Sequence, residues 1–182
     1  PLKLPHTTLD DKIYYRKLIT QCIKRSDKIC TVSETSKLDI ENIFPESTGK
    51  IVNTSQSISA NMSVSSKKAA EKYIYDHLAL QPKNYFLYFG AIEPKKNVGN
   101  LIRAYLDSEV STPLVIAGKK SWKHEIELEF INLIFERAPH LKEKIIFIGY
   151  TPQDVLPKLV SASKAVIFPS LYEGFGLPVL EA

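Results

Sequence analysis

Cysteine is scarce in this sequence of 182 residues, which holds only Cys22 and Cys30. Two thiols are too few for a disulfide scaffold and show no metal-ligand spacing. Both lie in apolar-patterned segments, where reduced, buried, structural thiols are expected. No stretch approaches the roughly 18–20 apolar residues of a membrane-spanning helix. Pro1-Leu2-Lys3-Leu4-Pro5 lacks the charged-then-apolar layout of a secretory signal. A cytosolic protein is the expectation, and a start at proline without methionine reads as one piece of a longer chain. Charge of one sign is also in small excess. The formal net charge of +4 suits phosphorylated substrates or an anionic membrane nearby, and it equally serves solubility alone; no nucleic-acid partner is expected. The seven glycines form neither Gly-x-Gly-x-x-Gly nor Gly-x-x-x-x-Gly-Lys-Ser/Thr, so neither a dinucleotide fold nor a phosphate-loop ATPase is signalled. An Asp-x-Asp metal motif is missing too, since Asp10-Asp11 has the wrong spacing and reads as a helix start; no metal and no cofactor are expected.

What remains is a globular composition, 44% hydrophobic, in which helical and strand patterns alternate. Helices are expected over 9–24, from the N-cap Ser33 to about Phe44, and over 67–80, 98–107, 122–137 and 152–161, with another starting at the chain's end. Strands are expected over 28–32, 50–53, 85–89, 113–117, 144–148 and 165–168. Between Ser55 and Ser66 serine and asparagine dominate without periodicity, which marks a linker. Short apolar strands separated by helices point to an α/β fold with parallel sheets covered on both faces. Ligands of such sheets bind at the carboxyl ends of the strands, so the loops that follow strands carry the functional interest.

Four such loops stand out. Gly90-Ala91-Ile92-Glu93-Pro94-Lys95-Lys96-Asn97 leads from a strand into a helix. Gly90 allows close backbone approach, the helix offers N–H groups, and Lys95 and Lys96 add charges suited to phosphate oxygens. Taken alone, the lysine pair also reads as a solvated turn. Gly118-Lys119-Lys120-Ser121-Trp122 repeats the pattern, with Trp122 either a stacking surface or a packing residue. Gly149-Tyr150-Thr151-Pro152 offers Thr151 as an N-cap and Pro152 at the first helical position, and its backbone is either the edge of a base site or a simple turn. The richest loop is Pro169-Ser170-Leu171-Tyr172-Glu173-Gly174-Phe175-Gly176-Leu177-Pro178. Its turn leaves the N–H groups of Phe175, Gly176 and Leu177 to face an anion or sugar oxygens. Glu173 and Glu181, eight positions apart, are carboxylates able to accept from a vicinal diol. Singly, each also reads as an ordinary surface acid.

The segment from Glu173 to Ala182 resembles the Glu-x7-Glu signature of the family 4 (group 1) glycosyltransferases, which have the GT-B fold. Phe89 to Asn97 is similar to the phosphate-binding loop of bacterial mannosyltransferase-like members, and Ser26 to Glu34 resembles a segment late in the family's first domain. The resemblance implies Rossmann-like parallel sheets flanked by helices, incomplete at both ends. Residues 1–58 would be the end of an N-terminal, acceptor-side domain, and 59–182 the front of a C-terminal, nucleotide-sugar-binding domain. It implies that Lys96, Lys95 and the Gly90 backbone bind the donor diphosphate. Many relatives have arginine in place of Lys95, and lysine keeps the charge without the bidentate fork. By the same resemblance Glu181 holds the ribose, and Glu173 acts beside the transferred sugar as the catalytic carboxylate. Gly174 and the amides of Phe175, Gly176 and Leu177 surround the sugar's hydroxyls and the phosphates, and Gly118, Tyr150 and Thr151 border the base.

The chemistry so implied is transfer of a hexose, mannose among the candidates, from a GDP- or UDP-hexose to a glycan or lipid-linked acceptor hydroxyl. It would proceed with retention at the anomeric carbon and without metal, in polysaccharide biosynthesis in the cytoplasm or at the membrane face as a peripheral enzyme. The family's N-domain His-Asp pair has no counterpart here. His6 precedes Thr7, and His77, His124 and His140 fall on or beside amphipathic helices as surface or packing residues. The segment alone is expected to be inactive. Two other classes stay open: a nucleotide-sugar-binding module without transfer activity, and an epimerase or phosphorylase on the same fold.

Overall fold

The computed structural model describes residues 2, 4, 7–64, 66–121 and 123–182, without the side chains of residues 60, 124, 126 and 127. His6, Trp122 and the side chain of His124 lie outside the described residues. The chain forms two compact units, one of Pro1–Ser57 with Tyr172–Leu177 and one of Ile58–Leu171 with Pro178–Ala182. Tyr172–Leu177 therefore belong with the first unit, although they come late in the sequence.

In the first unit α1 (Leu9–Arg25) opens on a capping box: the Thr8 hydroxyl accepts from the Asp11 N–H, and the Asp11 carboxylate accepts from the Thr8 N–H. Lys50 closes its far end by donating to the carbonyls of Ile23 and Ser26, each at 3.0 Å. β1 (Ile29–Thr31) and β2 (Ile51–Asn53) pair in parallel, with Ile29 opposite Ile51. Between them runs α2 (Glu34–Ile43), whose N-cap Ser33 accepts from the Ser36 N–H at 3.0 Å. Pro45 ends that helix by starting a short 3-10 turn. Both cysteines are exposed, contrary to the expectation of buried thiols. In β1 the burial alternates, so Thr31 faces inward and Cys30 outward. In α1 the inward side is that of Ile23, which leaves Cys22 at the surface.

The second unit is a four-stranded parallel sheet built from β3 (Phe86–Phe89), β4 (Leu114–Ala117), β5 (Ile145–Gly149) and β6 (Ala165–Val166). Its helices are α3 (Lys67–Leu78), α4 (Val98–Asp107), α5 (His124–Arg137) and α6 (Leu156–Ala162); the short α7 (Leu177–Glu181) comes last in the chain. Because strand side chains alternate, successive residues of β3 and β4 feed two cores. Tyr88, Leu114 and Ile116 pack with Val98, Ile102 and Ile131 from α4 and α5. Leu87, Phe89 and Val115 pack with Ile74 and Leu159 from α3 and α6. Full burial of one such side chain stabilises by about 1.5–3 kcal/mol. The buried Tyr85 hydroxyl donates to the Leu159 carbonyl at 2.6 Å and so lacks no partner.

The spatial order is β5-β4-β3-β6. The chain steps from β3 outward to β4 and β5, then returns to the other side of β3 to form β6. The order thus reverses between β3 and β6, and the crevice outside the carboxyl ends of two such strands is where open α/β sheets bind ligands.

One expected helix is shorter than the sequence suggests. A helix starting at Pro152 would need the residue-157 N–H to bond the Gln153 carbonyl, and Pro157 has none. Instead 152–155 form a turn in which Val155 and Leu156 donate to the Pro152 carbonyl, and α6 starts at Leu156 with Pro157 in its first turn. Thr151 is therefore not an N-cap.

Candidate functional site

The loops that leave the second unit's strands are joined to one another by their backbones. After β3, Gly90 donates to the Ala117 carbonyl and Ile92 to the Lys119 carbonyl, both at 2.9 Å, while Ser121 donates back to Ile92 at 3.1 Å. A β-carbon on Gly118 would run into the Gly90 carbonyl oxygen and lie 3.0 Å from its carbon. Gly118 is thus required where two loops touch, a reason the sequence reading had not supplied. Gly90, at φ +140°, occupies a conformation that side-chain-bearing residues rarely adopt.

At the reversal between β3 and β6 the second pair of loops is tied. Leu171 donates its N–H to the Lys95 carbonyl at 2.9 Å, and the Asn97 side-chain amide donates to the Pro169 carbonyl at 3.1 Å. Lys95 and Lys96 ride on the 3-10 turn Pro94–Lys96 that leads into α4. The Lys95 ammonium lies 3.5 Å from the Glu93 carboxylate, and that of Lys96 sits 5.7 Å from the centre of the Phe168 ring. Two lysines are therefore carried on the turn that borders the crevice created by the reversed strand order. Asn97 and Ser170 were not singled out from the sequence. Asn97 carries the tie itself, and the Ser170 hydroxyl is buried with no hydrogen-bond partner.

On the β4–β5 side a cavity of about 580 Å³ opens among Gly118, Lys119, Lys120, Phe135, Gly149 and Tyr150. The Lys119 ammonium lies 4.2 Å from the centre of the exposed Tyr150 ring. Its wall combines flat apolar surface with cations, a lining suited to a nucleoside. The Thr151 hydroxyl is buried without a partner and does not line this cavity.

Glu181 stands elsewhere. It lines a cavity of about 360 Å³ with Lys67, Lys83, Ser161, Lys164 and Ala165. Lys83 donates its N–H to the Ala162 carbonyl and Lys164 donates to Tyr85, contacts made where the chain enters β3 and β6. Gly90, Lys95 and Lys96 follow the opposite ends of those strands.

Glu173 and the glycine turn are held within the first unit. The hydroxyls of Ser33 and Ser36 both donate to the Gly174 carbonyl, at 2.5 and 3.0 Å, and the Tyr172 hydroxyl donates to the Asp39 carboxylate at 2.5 Å. Burial first, then the Asp39 hydrogen bond and charge, push the Tyr172 phenol up to about 12. Gly176, at φ +98°, takes the left-handed turn that only glycine adopts without strain. Phe175 is exposed beside it.

Comparison with known proteins agrees with this architecture. O-antigen chain mannosyltransferase B of Escherichia coli is 30% identical over 173 residues, which are 93% of this chain and 44% of that protein. The chain thus spans less than half the length of that relative. Anabaena Alr3699/HepE, crystallised with UDP and glucose, superposes with a TM-score of 0.78 at 16% identity, over 100% of this chain and 47% of that one. The C-terminal domain of a glycosyl transferase group 1 family protein (LpcC) from Francisella tularensis superposes with a TM-score of 0.52 at 23% identity, over 66% of this chain and 61% of that one. These likenesses establish the GT-B glycosyltransferase fold. The profile of the family described as "Glycosyl transferases group 1" matches residues 70–182, and the chain belongs to that family.

Proposed function

We propose that the full-length protein moves a hexose, mannose in the first instance, from a nucleoside diphosphate sugar to a hydroxyl of a glycan or lipid-linked acceptor, with retention at the anomeric carbon. The observation that carries this reading is the tie between the Lys95 loop and the Pro169–Leu171 loop at the point where strand order reverses. It fastens the backbone of the turn that carries Lys95 and Lys96 to the loop that follows β6. The names of the O-antigen mannosyltransferase relatives support the choice of mannose.

In this reading Lys95, Lys96 and the Gly90 backbone bind the diphosphate. The cavity at Lys119 and Tyr150 takes the base, with Gly118 and Thr151 in the loops that border it. Glu173 sits beside the transferred hexose, and the amides of Phe175, Gly176 and Leu177, with the Gly174 turn, face its oxygens. Glu181 is assigned no donor contact in this reading, because it lines the cavity at the opposite ends of β3 and β6. The bond from the anomeric carbon to the phosphate oxygen breaks, and the acceptor oxygen bonds to that carbon on the same face. The acceptor proton passes to the departing phosphate oxygen. Charge gathers on the diphosphate, and preorganised cations stabilise it there more than in the ground state.

The test uses the full-length protein with GDP-mannose and UDP-glucose as probes, measuring transfer, hydrolysis and nucleoside diphosphate affinity. Lys96→Ala is expected to lower turnover and raise the diphosphate Kd by about tenfold or more, the scale of one lost charge-assisted hydrogen bond. Lys142→Ala, on an exposed turn, is the unaffected control. Failure of wild type to turn over any nucleotide sugar, or a Lys96 variant that equals it, refutes the reading.

A further inference from the structure

We infer that Ser33, Ser36 and Asp39 are positioning residues for Glu173, acting through the Gly174 carbonyl and the Tyr172 phenol. The inference rests on the role proposed above for Glu173. Both chain neighbours of that residue are held by side chains of α2 and its cap. On one side Tyr172 is anchored to Asp39, and on the other the Gly174 carbonyl accepts from two serines. A carbonyl has two lone pairs, and here both are engaged by neutral donors. Ser33, Ser36 and Asp39 are spaced three apart, so all three share one face of the helix.

Ser33 has two duties that can be separated. Its oxygen caps α2 by accepting from the Ser36 N–H, while its single proton goes to the Gly174 carbonyl. The cap concerns stability; the donated proton concerns where the loop sits. The Tyr172 ring on one side of Glu173 and the Gly174–Phe175 peptide on the other are both held, which restrains the backbone that carries Glu173. Gly174 also lies against β1's end, where a β-carbon on it would come to 3.4 Å from Val32 Cγ2. A group that must meet an anomeric centre gains from such restraint, because a misplacement of about 1 Å can lower a rate by about a hundredfold.

Positioning makes a different kinetic prediction from stability. Ser33→Asp keeps a strong N-cap acceptor but has no proton to give, and sets a carboxylate against the Gly174 carbonyl. Ser36→Ala removes the second donor and leaves the cap intact, and Asp39→Ala removes the acceptor for Tyr172. With full-length protein and GDP-mannose or UDP-glucose, whichever the wild type turns over, each variant is expected to lose about tenfold or more in kcat. The donor KM should stay within about twofold and the melting temperature within about 3 °C. Ser33→Thr and Asp39→Asn, which restore a donor and an acceptor, are expected to recover most of the lost kcat. If kcat is unchanged in Ser33→Asp and Ser36→Ala, or falls only in step with melting temperature, the inference is overturned while the proposed function stands. A wild type that turns over no nucleotide sugar overturns both.

Discussion

The side-chain amide of Asn97 donates to the carbonyl of Pro169, 72 positions along the chain, at 3.1 Å. Asn97 does this from a left-handed backbone conformation, φ +61°, at the entry to α4. Asparagine tolerates that conformation better than most residues. Asn97→Ala would lose the hydrogen bond and keep the unfavourable φ, and is expected to destabilise by about 1–2 kcal/mol. Asn97→Gly loses the same bond but relieves the backbone, and should cost less. Urea unfolding of the two variants measures the order. If alanine matches wild type, the tie carries no stability.

Gly118→Ala has a harder constraint. The Gly90 carbonyl blocks the new β-carbon, and the hydrogen bonds from Gly90 to Ala117 and from Ile92 to Lys119 keep the two loops from separating. A loss of about 2–3 kcal/mol is expected. Gly149→Ala is the comparison: open space surrounds that position, and only its φ of +70° opposes a side chain, for a cost of about 1 kcal/mol. Unfolding midpoints in that order would locate the requirement at Gly118 in contact rather than in conformation.

β3, β4 and β5 were legible because each is a short apolar run feeding two cores, and 98–107 and the Ser33 cap were legible from local pattern alone. Misreadings share a cause. The helix expected from Pro152 fails at Pro157, whose missing N–H matters only once the register is set. The exposure of Cys22 and Cys30 depends on which face of α1 and β1 turns inward, which two apolar neighbours do not decide. What holds the loops was invisible for a different reason. The Ser33–Gly174 contact spans 141 positions, and a polar contact at that separation leaves no periodicity to read. Gly118 was noticed, but as a border of the base rather than as the place where two backbones meet.

The cavity beside Tyr150 yields a chemical prediction under the proposed function. Tyr150 presents a ring face, already attractive to the Lys119 ammonium 4.2 Å away. Tyr150→Phe keeps the ring and should keep the affinity of the full-length protein for GDP and UDP. Tyr150→Ala should raise Kd by about threefold to tenfold, the scale of one lost stacking contact of about 1 kcal/mol. Calorimetry with both nucleotides distinguishes this from a ring that only packs, for which all three proteins would bind alike.

Tyr172 gives a pH prediction whose sign follows from its surroundings. In the unfolded chain its phenol titrates near pH 10, whereas in the fold burial and the neighbouring Asp39 carboxylate raise it to about 12. Between those values the native state keeps a proton that the unfolded state has released, so stability falls as pH rises through the window. Below about pH 10 both states are protonated and the contribution is fully present. Tyr172→Phe has no such proton. The stability difference between wild type and Tyr172→Phe, from urea unfolding at a series of pH values, should be level from pH 7 to about 9.5 and shrink from about 10 to 12. Tyr85 and Tyr105, also raised by burial, are common to both proteins and cancel. A difference that stays level to pH 12 would mean that Asp39 does not hold the phenol. The same protonation keeps the Tyr172 donor on Asp39 throughout the neutral range, so any loss of activity near neutral pH must come from another group.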